Sequence, residues 1–218
     1  NNSNNSMSNI ITPRIAKQLA VLWQTTNDKD SLVRAIIADG RYAGNYDTIP
    51  MYYTGSYRPW KILFSTFKDG GNWASSVRDS LKSFIDNSTA GNKKTLVVFG
   101  NKIDLINDPN IAPYGTEVAD TIFYRQYLKS FTFGTNWPAS IPSSQNKFRG
   151  IGFFDGISQD SVSDPGTPGL IRPANGSSAA FKPMSVSGND NDSCNAVSFA
   201  GANYNTFFMT NEFSSLRS

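Results

Sequence analysis

The sequence of 218 residues predicts an α+β or α/β fold, in which helices pack on a mixed sheet. A strand–helix–strand pattern occupies residues 58–104, helical patterns precede it, and helical periodicity disappears beyond about residue 134. A hydrophobic share of 39% lets a chain of this length bury a core without disulfide or metal support. We expect an N-terminal helical pair and the strand–helix–strand unit on a mixed sheet, followed by an irregular β-rich C-terminal portion.

The N-terminal region predicts a linker followed by helices. Residues 1–11 are rich in Asn and predict a disordered linker, and residues 12–218 predict a single α/β-type domain. The start at Asn1 indicates that an upstream segment was removed, or that a short leader was added before Met7. Because Pro is tolerated in the first turn of a helix, Thr12-Pro13 can begin the first helix. Apolar residues at helical spacing continue it to about residue 26, namely Ile15, Leu19, Leu22 and Trp23.

A second helix is predicted from about Asp30 to Ala38, where Gly40 can end it in the left-handed conformation. Its inward residues would be Leu32, Val33, Ile36 and Ile37. The two helices would form a hairpin that packs on the later sheet.

The central unit consists of two apolar runs and a helical pattern between them. Residues 62–67 are β-branched and aromatic and end at a glycine pair, which is typical of a strand. Asn72 can cap the helix that follows, and residues 95–99 form a continuous apolar run typical of a buried strand. This order predicts a parallel crossover, although a different pairing of the two strands stays open. The apolar helix face would contain Trp73, Val77, Leu81, Phe84 and Ile85.

Residues 41–60 form a turn-rich segment with many aromatic side chains. Tyrosine rings in such a loop offer flat surfaces with a polar tip, which suit sugar rings or protein partners. The alternative is that the rings pack the loop onto the domain and line no site. The candidate ligand-binding residues are Tyr46, Tyr52, Tyr53, Tyr57 and Trp60.

The C-terminal part is predicted to change from helical to β-rich. A helix is expected from Glu117 to Lys129, running into a strand at Ser130 to Phe133. Repeated prolines from about residue 134 predict long loops, and Asp155-Gly156 predicts a turn. Short strands are expected in the remaining apolar pieces, at residues 150–154, 179–181, 196–199 and 206–209.

Charge and cysteine content restrict the partners. The formal charge is +3 and the 20 basic residues are dispersed, so nucleic acid is not favoured as a partner. The pair Lys93-Lys94 is expected to be solvated. One cysteine, Cys194, excludes an internal disulfide, and no apolar run is long enough to predict a membrane span. The charged share of 17%, with frequent Asn and Ser, favours an extracellular, cell-surface or virion location.

Several catalytic classes lack their residues. No histidine is present, which excludes Ser-His and Cys-His nucleophiles, and one cysteine cannot build a zinc site. Two Ser-x-x-Lys spacings, at Ser65 and Ser144, lie in a predicted strand and a predicted loop rather than on a helix. Cys194 is expected to be a small buried side chain. We therefore predict no cofactor, no metal and no catalytic residue.

Carboxylates alone support glycoside hydrolysis, so a secreted carbohydrate-active hydrolase remains an alternative. Asp155 and Asp104 are the acids best placed at strand ends, with Glu117 and Glu212 as the two glutamates. The loop of residues 188–195 offers oxygen ligands for calcium, but it lacks the arrangement of an EF-hand.

A short motif follows the second strand of the central unit. Asn101-Lys102-Ile103-Asp104 resembles the guanine-specificity motif Asn-Lys-x-Asp of GTPases, which implies a nucleotide-binding protein. The phosphate-binding Gly-x-x-x-x-Gly-Lys-Ser/Thr pattern is absent from the sequence, so a backbone turn at Asn101 and Asp104 is the simpler interpretation.

Together these observations predict a non-catalytic structural or interaction protein of an extracellular surface structure or virus-like particle. Its partners would be other protein subunits or glycans, bound through the aromatic loop, and a homo-oligomer is possible. The alternatives are the two-carboxylate hydrolase and the nucleotide-binding protein.

Overall fold

The computed structural model describes residues 17–53, 55–67, 75–100, 122–134, 147–159, 161–162, 170–184, 194–211, 213 and 216–217. Two α-helices lie in this part of the chain, α1 (Thr26–Asp39) and α2 (Ser75–Asp86), with a π-helical turn at Phe123–Tyr127 and a 3-10 helix at Gly152–Phe154. The strands are β1 (Leu19–Trp23), β2 (Tyr46–Pro50), β3 (Ile62–Phe67), β4 (Lys94–Gly100), β5 (Ser130–Gly134), β6 (Phe148–Gly150), β7 (Ser158–Gln159), β8 (Ser161–Val162), β9 (Leu170–Pro173), β10 (Ser178–Pro183), β11 (Ala196–Ala200), β12 (Tyr204–Met209) and β13 (Leu216–Arg217).

A nine-stranded mixed sheet forms the centre of the structure. Its order is β2-β1-β3-β4-β12-β11-β10-β6-β7, and two smaller sheets pair β13 with β8 and β5 with β9. The first five strands are parallel, and the remaining four alternate in direction. The predicted α+β class with a mixed sheet is confirmed. Strand β2 is the edge of the parallel half.

The strand–helix–strand prediction is confirmed in detail. β3 pairs with β4 in parallel, from Ile62 opposite Thr95 to Phe67 opposite Gly100, and α2 connects them. The predicted apolar face of α2 is buried, with Leu81 and Phe84 both inaccessible to solvent. Trp73 and the predicted cap Asn72 lie outside the described residues.

The two helices cover opposite faces of β1. Leu19 and Val21 pack in a cluster with Leu32 and Ile36 of α1. Because side chains alternate across a strand, Ala20 and Leu22 point the other way, into the cluster that includes α2. β1 is therefore covered on both sides, which explains its continuous apolar sequence.

The predicted N-terminal helical pair is wrong in its first member. Leu19–Trp23 forms β1, and the residues before Lys17 lie outside the described part of the chain. All five residues of β1 are apolar, because both faces of this strand are covered. A continuous apolar run also contains the spacing of a helix face, so the sequence alone did not distinguish the two.

The second predicted helix is confirmed as α1, although it begins earlier than expected. Thr25 caps α1, since its Oγ1 accepts a hydrogen bond from the backbone N–H of Asp28 at 3.4 Å. Gly40 ends the helix with φ of 78°, as predicted. Ile37 was expected to point inward and is instead 50% exposed.

The C-terminal half is β-rich, as predicted. The expected strands near residues 179–181, 196–199 and 206–209 are confirmed as β10, β11 and β12, and the strand at 130–133 is confirmed as β5. Residues 150–154 contain the end of β6 and the 3-10 helix rather than one strand. Asp155-Gly156 forms the predicted turn, with φ of 83° at Gly156. The predicted linker at 1–11 and the start of the predicted helix at 117–121 lie outside the described residues.

An aromatic cluster packs on β4, β10 and β12, and Phe213 joins it to the cluster beneath α1. Phe99 contacts Phe207 and Phe213, and Phe154 contacts Phe181 and Phe207, with ring centroids 5.0–5.8 Å apart. Ring pairs in these geometries contribute beyond the area that they bury. In the described residues, no helix is both long enough and apolar enough to cross a membrane.

Candidate functional site

A cleft of about 420 Å³ lies beside the edge strand β2, and we call it the aromatic cleft. It is formed by β2 and by the later part of residues 41–60, which we call the aromatic segment. Three of the five predicted site residues, Tyr46, Tyr53 and Trp60, line it. Its complete lining consists of Tyr46, Asp47, Thr48, Ile49, Tyr53, Pro59 and Trp60.

The other two predicted site residues do not line the cleft. Tyr57 is only 2% exposed and packs in the core, so for this residue the alternative of packing is correct. Tyr52 is 80% exposed and is not one of the residues that line the cleft. The sequence could not separate these roles, because the aromatic residues share one turn-rich segment without a periodic pattern.

The rings are held by one another. Tyr53 stacks on Tyr57 with centroids 6.0 Å apart and meets Trp60 edge to face at 6.2 Å. Tyr57 and Trp60 are buried, so they form a rigid support for the half-exposed ring of Tyr53. Gly55 leaves room for this ring, since a Cβ there would lie 2.1 Å from Tyr53 Oη.

Asp47 is the acidic residue of the cleft lining. Its Oδ2 accepts a hydrogen bond of 2.9 Å from the indole Nε1 of Trp60, which fixes the carboxylate next to the rings. Asp47 was missed in the sequence, because a single acid in a segment predicted to be turn-rich forms no recognisable motif. Its position among aromatic residues would have been the available indication.

Burial changes the ionisation of Tyr57. Its hydroxyl is buried and has no hydrogen-bond partner among the residues that the structure describes. Loss of hydration disfavours the phenolate and, with a smaller contribution from Tyr53, raises the pKa of Tyr57 to about 12. Tyr57 therefore acts as an uncharged support for the cleft.

Lys94 fixes the end of the aromatic segment. Its ammonium donates hydrogen bonds to the carbonyl oxygens of Arg58, at 2.7 Å, and Trp60, and lies 5.3 Å from the ring centroid of Phe84. The expectation of a solvated lysine is wrong here, because Lys94 is only 2% exposed. Burial, with a smaller effect of the Lys61 charge, lowers the pKa of Lys94.

Of the four acids considered for the alternative of a hydrolase, the described residues include one, Asp155. Asp155 lies in an exposed turn, where its Oδ1 accepts the N–H of Gly156 at 3.0 Å. Asp104, Glu117 and Glu212 lie outside the described residues, as do the Asn-Lys-x-Asp motif at 101–104 and residues 188–193 of the polar loop that offers oxygen ligands. In the part of the chain that the structure describes, no group of three or more Cys, Asp or Glu residues could hold a metal.

The remaining nucleophile candidates are structural where they are described. Cys194 is buried, its Sγ–H donates to the carbonyl of Ile171 at 3.1 Å, and burial raises the pKa of the thiol to about 12. A thiol of this kind is inert at neutral pH. Ser65 is buried within β3, as expected for a strand residue, and Lys68 lies outside the described residues.

Comparison with known proteins does not identify a family. No family model and no curated protein matches the sequence. Among solved structures, the chain is similar to a polyextremophilic β-galactosidase from the Antarctic haloarchaeon Halorubrum lacusprofundi, with a TM-score of 0.49 and 11% sequence identity. The match covers 90% of this chain and 28% of the β-galactosidase chain. The function must therefore be inferred from the site alone.

Proposed function

We propose that this chain is a non-catalytic interaction protein whose aromatic cleft holds one sugar residue of a glycan. The observation that carries the proposal is the carboxylate of Asp47, fixed by Trp60 beside the exposed face of Tyr53. Apolar walls with a few convergent polar groups are typical of small-ligand sites, and a volume of about 420 Å³ is in the usual range.

The chemistry of a sugar matches both features of the cleft. One face of a pyranose carries C–H groups that can pack on the ring of Tyr53. Its hydroxyls are donors, and a carboxylate such as that of Asp47 accepts hydrogen bonds at both oxygens. Because Trp60 already fixes Asp47, little side-chain entropy is lost on binding.

The composition of the cleft supports binding rather than hydrolysis. Glycoside hydrolysis uses two carboxyl groups on either side of the scissile bond. Asp47 is the one acid among the residues that line the aromatic cleft. The alternative of a secreted hydrolase requires a second acid opposite Asp47.

A protein partner is the other occupant that this surface suits. Tyr52 is 80% exposed next to the cleft, and exposed tyrosines are frequent in protein interfaces. We propose that this chain works at an extracellular or particle surface with either kind of partner, since its sequence is 17% charged and rich in Asn and Ser. The two partners are distinguished by which tyrosine matters for binding.

A glycan screen with the purified chain tests the proposal. The wild-type protein is applied to an array of immobilised glycans, and each glycan retained is measured by calorimetry with wild type and with Asp47→Asn. We expect the amide to weaken binding about tenfold, because a charge-assisted acceptor is lost. Equal affinity of the variant, or retention of no glycan, would contradict the proposal.

A further inference from the structure

A second cleft, of about 450 Å³, lies at the opposite end of α2 from its connection with β3. We call it the π-turn cleft, because the π-helical turn at Phe123–Tyr127 forms one wall. π-helical turns are rare and occur often at functional sites. The end of α2 and the turn that precedes β12 form the other walls. The lining residues are Ile85, Asp86, Ser88, Gln126, Tyr127, Lys129, Asn203 and Tyr204.

One wall of the π-turn cleft is negative. Asp86 is the last residue of α2, where the unpaired carbonyl groups of a helix end add negative potential. The hydroxyl of Tyr127 donates to Asp86 Oδ1 at 2.7 Å. Burial and this hydrogen bond raise the pKa of Tyr127 to about 12, so its proton stays in place. The carboxylate is thus oriented and remains exposed to the cleft.

Another part of the lining carries a positive charge, that of Lys129. Lys129 has φ of 58°, a left-handed conformation in which glycine is the usual residue after a helix. Its carbonyl oxygen accepts from Ser177 Oγ at 2.6 Å and from the N–H of Ala174 at 2.9 Å, which holds the backbone there. Its ammonium lies 4.7 Å from the ring centroid of Phe199 and 5.7 Å from that of Tyr204.

Asp86 and Lys129 form no ion pair with each other in the described residues. In the described structure, the Lys129 ammonium forms no ion pair and no hydrogen bond, and Asp86 accepts only from Tyr127. A ligand with one charge would be attracted to one wall and repelled by the other. A ligand with both charges would satisfy both walls, while Tyr127 and Tyr204 would contact its apolar part.

We propose that the π-turn cleft binds a zwitterionic small molecule of the α-amino acid class, with its ammonium against Asp86 and its carboxylate against Lys129. This site shares no residue with the aromatic cleft, so it stands independently of glycan binding. It also gives a reason for a lysine, rather than a glycine, at a left-handed position.

Ligand chemistry tests the proposal without any substitution. The full chain is titrated with the free L-α-amino acids, first in groups of similar side chains and then singly, by saturation-transfer NMR and calorimetry. For an amino acid that binds, the N-acetyl and the carboxamide derivatives should each bind about tenfold more weakly, because each lacks one charge. Derivatives that bind as well as the parent, or binding of no amino acid in the millimolar range, would overturn the proposal.

Two variants locate the site. Lys129→Gly removes the ammonium and suits the left-handed backbone, so its melting temperature should equal or exceed that of the wild type while binding falls at least tenfold. Asp86→Asn should also weaken binding, and Arg34→Ala, on the exposed face of α1, serves as the control with unchanged affinity. Wild-type affinity in both Lys129→Gly and Asp86→Asn would exclude this cleft as the site.

Discussion

The indole Nε1 of Trp60 donates a hydrogen bond of 2.9 Å to Asp47 Oδ2, and this bond joins the end of the aromatic segment to the edge strand β2. Trp60 is buried, whereas Asp47 is half-buried at the wall of the cleft. The tryptophan therefore has two roles, since it packs in the core and orients the carboxylate that we propose to bind a ligand.

Replacing the indole by a ring without a donor tests this bond. Trp60→Phe should lower the free energy of unfolding by roughly 2 kcal/mol, because a hydrogen bond to a charged group is lost together with some packing. Urea unfolding monitored by circular dichroism measures the change. Trp23→Phe, at a half-buried tryptophan whose ring contacts the Lys29 ammonium, is the matched control and should cost less. Equal losses would argue against a special role for the Trp60 bond.

Lys94 offers a sharper test of how the aromatic segment is anchored. Lys94→Met keeps the length of the side chain but leaves the carbonyl groups of Arg58 and Trp60 without their buried donor. We expect a loss of about 3 kcal/mol in unfolding free energy. Lys93→Met, at the exposed neighbour, should change stability by less than about 0.5 kcal/mol. A stable Lys94→Met variant would show that the anchor is dispensable.

Tyr57 predicts a specific response to alkaline pH. The pKa of Tyr57 is raised from 10.0 to about 12 in the folded state, so between these values the folded chain holds a proton that the unfolded chain has released. This contribution to stability is complete below pH 10 and is lost as the pH rises towards 12. Tyr57→Phe lacks the proton, so its stability should fall less steeply in this range.

Unfolding by urea at several pH values from 8 to about 12 measures the difference between wild type and Tyr57→Phe. Near neutral pH the variant should be as stable as the wild type or slightly more stable, because it removes a buried hydroxyl that has no partner in the described part of the chain. Parallel stability curves above pH 10 would contradict the assignment of a buried, uncharged Tyr57.

Gly55 connects the backbone of the segment with the position of Tyr53. In Gly55→Ala the new Cβ would meet Tyr53 Oη at 2.1 Å, so the ring must leave its place against Trp60. We expect glycan affinity to fall about tenfold, with a small change in melting temperature because Tyr53 is partly exposed. Gly91→Ala, where nothing lies within 4 Å of the new Cβ, is the control. Unchanged affinity in Gly55→Ala would mean that the position of Tyr53 does not matter.

The sequence predicted correctly those parts of the fold whose hydrophobic pattern fits a single type of secondary structure. The spacing of Val77, Leu81, Phe84 and Ile85 is helical, and glycines or polar residues separate this helix from the strand on either side. The failure at Leu19–Trp23 has a physical cause, since an apolar run buried on both faces has no period. β1 is buried between the clusters of α1 and α2. This burial follows from the order of the strands in the sheet, which the sequence does not show.

The sequence predicted three of the lining residues of the aromatic cleft but not their arrangement. The aromatic composition of residues 41–60 identified the segment, but which rings are exposed depends on the anchor between Lys94 and the carbonyl of Arg58, 36 positions apart in sequence. The role of Asp47 follows from its hydrogen bond with Trp60, which the sequence does not show. The π-turn cleft was not predicted, because its residues come from three distant segments and no local motif joins them.

The most direct test of the proposed function compares two neighbouring tyrosines. Tyr53 lines the aromatic cleft and Tyr52 does not, although both are exposed and adjacent in sequence. Calorimetry with a glycan retained by the wild type should show affinity reduced at least tenfold in Tyr53→Ala and changed by less than about twofold in Tyr52→Ala. Full affinity in Tyr53→Ala, or a larger loss in Tyr52→Ala, would contradict a sugar-binding aromatic cleft.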